Sequence, residues 1–209
     1  WQVNTSAHYE AVYLLFASAV LGAVLREARL RSLVPLYLLC LGTRPDAGLF
    51  LCVQLLSLLA LPRTVLPERR RLVRRVLALA GGGVVFTLVV IKGISPLFGV
   101  AETTHAVRLW SHYGDSYEAV ALHVLTHPST LWDSLKGGAF LKLNQSLLLL
   151  SLFSPSGWIA NLPGFILYTT NDASHRMLEF YNAALLIPGL FLGAWAGLER
   201  VLGYFRRPA

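Results

Sequence analysis

His8 and Glu10 stand two residues apart in "SAHYEAV", and Arg44 and Asp46 flank Pro45 in "LGTRPDAGLFL", within an almost unbroken apolar stretch from Leu33 to Leu61. A carboxylate can take a proton from a hydroxyl or hold a polyol. A guanidinium can pair with a carboxylate or a phosphate through parallel N–H bonds. At the centre of a membrane helix each charge costs about 2.5 to 3.5 kcal/mol on insertion scales, so Arg44 and Asp46 must face a partner or water. They form either a salt bridge that closes a helical hairpin or a pair open to a cavity that takes an anionic or hydroxyl-rich substrate. Glu10 also has two readings: a carboxylate favoured by the dipole at a helix N-terminus, or, with His8, a holder of a polar ligand.

Two further stretches carry chemistry. "TTNDASHRMLEFYN" holds Asn171, Asp172, His175, Arg176, Glu179 and Tyr181. Asp172 can cap the last helix and Arg176 can pair with Glu179 three residues on. The density of hydrogen-bonding groups also suits a carbohydrate or phosphate ligand, with Arg176 as the phosphate contact. The stretch from Gly99 to Gly138 contains "SHYGDSYEAV", where Asp115 and Glu118 have the spacing of a capping box for a helix that Pro128 ends. Thr130 and Asp133 repeat that spacing, and Trp110, Tyr113, Tyr117 and Trp132 are expected at the membrane interface. His123 and His127 share a helix face at a spacing compatible with metal ligation. No HExxH motif or cysteine accompanies them, so they are read as surface histidines and no metal or other cofactor is expected.

The elements that must position these residues are apolar. The chain has 209 residues, 55% hydrophobic and 14% charged, with a mean hydropathy of +0.57. That composition excludes an ordinary soluble domain and predicts an all-α, polytopic transmembrane bundle forming one domain over residues 1–209. Apolar runs fall at Ala11 to Leu25, Leu33 to Leu41, Ala47 to Leu61, Val76 to Ile91, Phe140 to Phe153, Trp158 to Tyr168 and Ala183 to Leu198. Several are shorter than the ~20 residues of a perpendicular crossing, so short or re-entrant helices shielded by protein are expected. Cys40 and Cys52 lie in such runs and are read as packing residues. Gly81 to Gly83 predict close helix contact.

Arginines cluster at Arg26, Arg29 and Arg31; at Arg63, Arg69, Arg70, Arg71, Arg74 and Arg75; and at Arg200, Arg206 and Arg207. The positive-inside rule makes all three clusters cytoplasmic. Ser32 to Pro62 must then go out and return, with its turn at Gly42 to Asp46 near the outer face. Residues 92–138 become an external loop. All six histidines and eight of the eleven acids then fall outside or at the outer boundary, while twelve of the eighteen basic residues fall inside. The net charge of +7 therefore reflects orientation and attraction to anionic membrane lipid rather than nucleic acid. Asn4-Thr5-Ser6 and Asn144-Gln145-Ser146 match a glycosylation sequon, a pattern that often occurs by chance.

The order "AHYEAV", "TRPDAGLFL", "SHYGDSYEAV", "SPSGWIANLPGFIL" and "EFYNAALLIPGLF" resembles the bacterial and archaeal domain-of-unknown-function family 2079. Those predicted polytopic membrane proteins are placed in the GT-C glycosyltransferase superfamily. Of the family's Asp-Phe-His-x-Glu and Lys-Glu-Asp patterns, His8, Glu10 and Asp46 match and Arg44 keeps the lysine's charge. Ser6, Ala7 and Pro45 depart from them. The resemblance implies a prokaryotic cell membrane and a polyprenyl-phosphate sugar donor used on the extracytoplasmic side. It also implies a main catalytic acid in a first external loop that would precede Trp1, so the chain is expected to be the later part of a longer protein. Glu10 and Asp46 become the candidate catalytic acids. His8, Arg44, His112, Asp115, Asp172, His175 and Arg176 become the candidate substrate contacts.

Two other classes compete. A transporter or channel subunit should show charges in the middle of several helices or paired broken halves, and the sequence has no internal repeat. A non-catalytic scaffold would not need histidines and acids gathered on one side. The sequence does not fix the oligomeric state.

Overall fold

The computed structural model describes residues 2–62, 69–98, 113–114, 116–129, 144–145, 147–169 and 185–205, apart from some side chains such as those of residues 2–8 and 164–169. Regular structure among these residues is helical, as expected. Seven α-helices carry it: α1 (Gln2–Leu25), α2 (Leu30–Leu41), α3 (Ala47–Leu58), α4 (Arg69–Leu88), α5 (Tyr117–Thr126), α6 (Pro155–Thr169) and α7 (Ile187–Phe205). Leucine and alanine dominate the apolar runs, and a helix pairs its own backbone, which an apolar surrounding requires.

The first four helices form an antiparallel series whose turns fall where charge and proline predict. Arg29 is extended and opens α2; Gly42 closes it, its N–H donating to Leu38 O while the Thr43 N–H donates to Cys40 O. Asp46 precedes α3, so the hairpin turn is Gly42 to Asp46. At the other end, Glu27 adopts a left-handed φ of 53° in the α1–α2 turn. Arg75 Nη1 donates to Ala28 O at 3.3 Å, and Arg71 pairs with Glu27 at 3.8 Å, which ties the start of α4 to this turn. Glu10, Arg44 and Asp46 therefore share one end of the series, and Arg26, Arg29, Arg70 and Arg74 share the opposite end.

The expected glycine contact forms at two of the three positions: a Cβ on Gly82 would lie 3.0 Å from the Tyr37 hydroxyl of α2, and Gly83 meets α3. A Cβ on Gly48 of α3 would overlap the Gly83 carbonyl of α4, and one on Gly83 would lie 2.8 Å from Gly48 O, whereas Gly81 faces open space. A core of Tyr13, Val20, Leu33, Leu51, Leu55, Leu185 and their neighbours joins α1 to α4 and α7. Cys40 is buried and Cys52 partly so, both as free thiols. Residues Arg70–Ile94, α4 with its π-helical extension, form the one helix among the described residues long and apolar enough to cross a membrane alone; its most apolar 18-residue stretch has a mean hydropathy of 2.1. Tyr9–Leu25, Leu30–Leu41 and Ala47–Leu58 are shorter apolar helices.

The apolar run Phe140 to Phe153 is not one continuous helix in its described part. Residues 144 and 145 are helical, Leu148 and Leu149 take left-handed φ of 52° and 59°, and Leu150–Phe153 form a 3-10 turn before Ser154. Two left-handed leucines cost about 1–2 kcal/mol each. Polar and backbone contacts offset that. Asn144 Nδ2 donates to Asn161 Oδ1 at 3.0 Å, Ser151 Oγ donates to Asn144 Oδ1, and Asn161 Nδ2 donates to Gly157 O at 2.8 Å. The glycines of α6 and α7 admit this segment: a Cβ on Gly157 would strike Ser151 O, and one on Gly197 would strike Leu150 O.

Candidate functional site

Arg44 gathers the site. The Gly42 to Asp46 turn projects it back toward α1, where Nη1 donates to Glu10 Oε1 at 2.8 Å. Its Nε and Nη2 donate to Asp46 Oδ1 and Oδ2 at 2.9 and 3.0 Å, the forked geometry that makes guanidinium–carboxylate pairs strong. The structure shows the salt bridge of Arg44 with Asp46 and extends it to Glu10, a clasp that spans 34 residues of sequence.

The carboxylates differ in environment. The side chain of Asp46 is 34% exposed and that of Arg44 27%, against 6% for Glu10. Asp46 spends both oxygens on Arg44. Glu10 spends one, and its buried Oε2 meets no hydrogen-bond partner among the described residues. A buried carboxylate oxygen without a partner carries a desolvation cost of about 1–3 kcal/mol or more. A hydroxyl donated from a ligand would relieve it.

Beneath Glu10 a polar column continues into the core. Tyr13, one helical turn on, is buried, and its hydroxyl donates to Gln54 Oε1 at 3.4 Å; Gln54 Nε2 donates to Leu185 O. This links α1, α3 and the residues leading into α7 below the clasp. Tyr13 and Gln54 were not among the residues singled out from the sequence. The signal for Gln54 was present: it is the one amide in "AGLFLCVQLLSL". Thr87 Oγ1, beside Gly48 on α4, is a second buried side-chain oxygen with no partner among the described residues.

A family model matches residues 4–208, nearly the whole chain; its description is "Predicted membrane protein (DUF2079)". The chain belongs to that family. No curated protein and no solved structure matches it. Membership in DUF2079 accounts for the composition and for the resemblance read from the short motifs.

The remaining candidates of this DUF2079 chain divide in two. The backbone of helix α1 includes His8, but its side chain lies outside the described residues, as do His112, Asp115, Asp172, His175 and Arg176. The described residues therefore bring together Glu10, Arg44 and Asp46. In the segment after Tyr113 the helix cap differs from the expected Asp115–Glu118 box by one residue. Ser116 is the N-cap, its extended backbone letting Oγ accept from Ala119 N at 3.2 Å. Glu118 then sits in the first turn of α5, where hydrogen bonds from its own backbone N–H and from the Ser116 side chain, with Lys92 nearby, hold its carboxyl below the usual value. The helix ends at Thr126, before Pro128, as expected. The rings of His123 and His127 stack with centroids 4.6 Å apart, and Tyr113 lies 4.8 Å from His123. Among the described residues no group of three or more His, Cys, Asp or Glu is placed to hold a metal ion.

The sequon at Asn144 is closed to modification in this fold. The residue is fully buried and its side-chain amide binds Asn161 and Ser151.

Proposed function

We propose that this DUF2079 protein is an integral-membrane glycosyltransferase-like protein of the GT-C kind, with Glu10 at its reacting centre. The observation that carries the reading is the buried Oε2 of Glu10, unpartnered among the described residues, in a carboxylate whose other oxygen is fixed by Arg44. In transfer from a polyprenyl-phosphate sugar, the acceptor oxygen bonds to the anomeric carbon and the bond from that carbon to the phosphate oxygen breaks. The electron pair leaves with the phosphate, and the hydroxyl proton goes to the Glu10 carboxylate. Arg44 and Asp46 act here as positioning residues. Two carboxylates against one guanidinium leave the cluster with a formal charge of −1, which suits a hydroxyl at this spot better than a phosphate. Phosphate contact would then fall to groups such as Arg176 and His112.

The test uses the purified protein in liposomes that carry a polyprenyl-phosphate hexose, following release of polyprenyl phosphate. Glu10→Gln should lower turnover about 100-fold or more while the protein still folds, because glutamine can still accept from Arg44. Turnover that survives Glu10→Gln overturns the assignment. Loss of folded protein in that variant supports the competing reading of the cluster as a structural clasp, which the bidentate Arg44–Asp46 geometry favours.

A further inference from the structure

At the end of the molecule opposite Glu10, charge and an apolar groove are adjacent. The clasp of Arg71 on Glu27 and Arg75 on Ala28 O brings the α1–α2 turn against the start of α4. Arg26, Arg29, Arg70 and Arg74 surround that junction, all exposed and none ion-paired among the described residues. The acids described at this end are Glu27, already engaged by Arg71, and Glu199 on α7. A dense, unneutralised arginine cluster repels itself unless an anion joins it.

The groove starts at the same place. It lies between α1 and α7, has a volume of about 540 Å³, and is lined on α1 by Leu14, Ser18, Gly22 and Leu25 and on α7 by residues including Phe191 and Trp195. Leu25 directly precedes Arg26. From Leu25 to Leu14 the groove follows α1 for roughly 16 Å at 1.5 Å per residue, close to half of a ~30 Å hydrocarbon core. That is the reach of one acyl chain in one leaflet. We infer that the basic end and this groove together form a site for one anionic phospholipid, its phosphate held by Arg26 and the neighbouring exposed arginines and one acyl chain laid between α1 and α7. The charge commits the occupant to an anionic headgroup. The groove's length commits it to a lipid of the leaflet that faces the arginines.

Trp195 in the groove wall is the reporter. In a form with Trp1, Trp110, Trp132 and Trp158 changed to Phe, the protein is reconstituted into phosphatidylcholine vesicles. These contain equal mole fractions of either brominated phosphatidylglycerol or brominated phosphatidylcholine. The anionic lipid should quench Trp195 with an apparent affinity about fivefold or more above the neutral one, the preference that one engaged arginine confers near a membrane surface. Arg26→Gln with Arg74→Gln should remove that preference and leave the two lipids equal. Gly22→Leu should reduce quenching by both, since a Cβ at Gly22 meets nothing within 4 Å and the larger side chain fills the groove without displacing backbone. Ser18→Leu gives the same test at a second position. Equal quenching by the two lipids in the parent protein, or a preference that survives the double arginine change, overturns the headgroup site. Quenching unaffected by both groove-filling variants overturns the groove.

Discussion

Two polar clusters interrupt this apolar chain, and they are built on opposite principles. Around Asn144, Ser151 and Asn161 the hydrogen bonds among the described residues are neutral and local to a buried seam, with amide, hydroxyl and carbonyl groups meeting one another at the glycine surface of α6 and α7. Around Glu10, Arg44 and Asp46 the groups are ionic, two of the three are partly exposed, and one buried oxygen is unpartnered among the described residues. A closed neutral network specifies a backbone path. An open ionic one keeps bonding capacity for something that arrives. The difference separates a residue set that holds the fold from one that can act on a ligand.

The comparison can be broken most sharply at the closed cluster. Gly197→Val drives a side chain into the Leu150 carbonyl and should cost about 3 kcal/mol or more, seen as loss of folded protein or a large fall in melting temperature in detergent. Arg44→Ala should come next. It strips the counter-ion from buried Glu10, and the cost should be about 2 kcal/mol, below that of a fully buried pair because the guanidinium is partly exposed. Glu10→Gln, by contrast, should leave the melting temperature within a few degrees of the parent, which distinguishes a reacting group from a strut. Asn161→Leu should cost about 1–2 kcal/mol by removing the side-chain bonds to Asn144 and Gly157 O, with no specific effect on sugar transfer in the protein that remains folded. An Asn161 variant that folds normally yet loses transfer would erase the distinction between the clusters.

The smallest effect lies outside both clusters. The carboxyl of Glu118 is held below its ordinary value of 4.5, so its contribution to α5 is present above that value and is lost as the pH falls through the lowered one. A peptide-level or local helicity probe of α5 should therefore weaken on acidification, and Ser116→Ala should reduce helicity by about 0.5–1 kcal/mol at neutral pH. Neither change should move the Glu10 cluster.

Much of the helix series was legible because its signals are local. Pro45 between two charges marks the hairpin turn, Gly42 marks a helix end, and the arginines of the α1–α2 turn and of the start of α4 do lie together at the end away from Glu10. Phe140 to Phe153 was not legible, since a leucine-rich run has the composition of a membrane helix whether or not the chain bends. What bends it is the meeting of Asn144 with Asn161 and of Leu150 and Ser151 with three glycines, contacts made only once α6 and α7 have packed. The site shows the same division. Arg44 with Asp46 is a pairing across two residues and was readable. Arg44 with Glu10 depends on α1 returning alongside the α2–α3 hairpin, and no spacing rule reports it. The one-residue shift of the α5 cap to Ser116 belongs to the same class: both Asp115 and Ser116 are competent caps, and backbone conformation chooses between them.

The backbone meeting of Gly48 and Gly83 has a mechanical corollary. With no side chains between them, α3 and α4 bear on each other at a fulcrum two residues from Asp46. A methyl group added at either glycine would lever the hairpin tip outward, and the guanidinium at that tip would swing away from α1. The geometry of the Arg44–Glu10 pair would then be set by helix spacing at a point that itself carries no functional group.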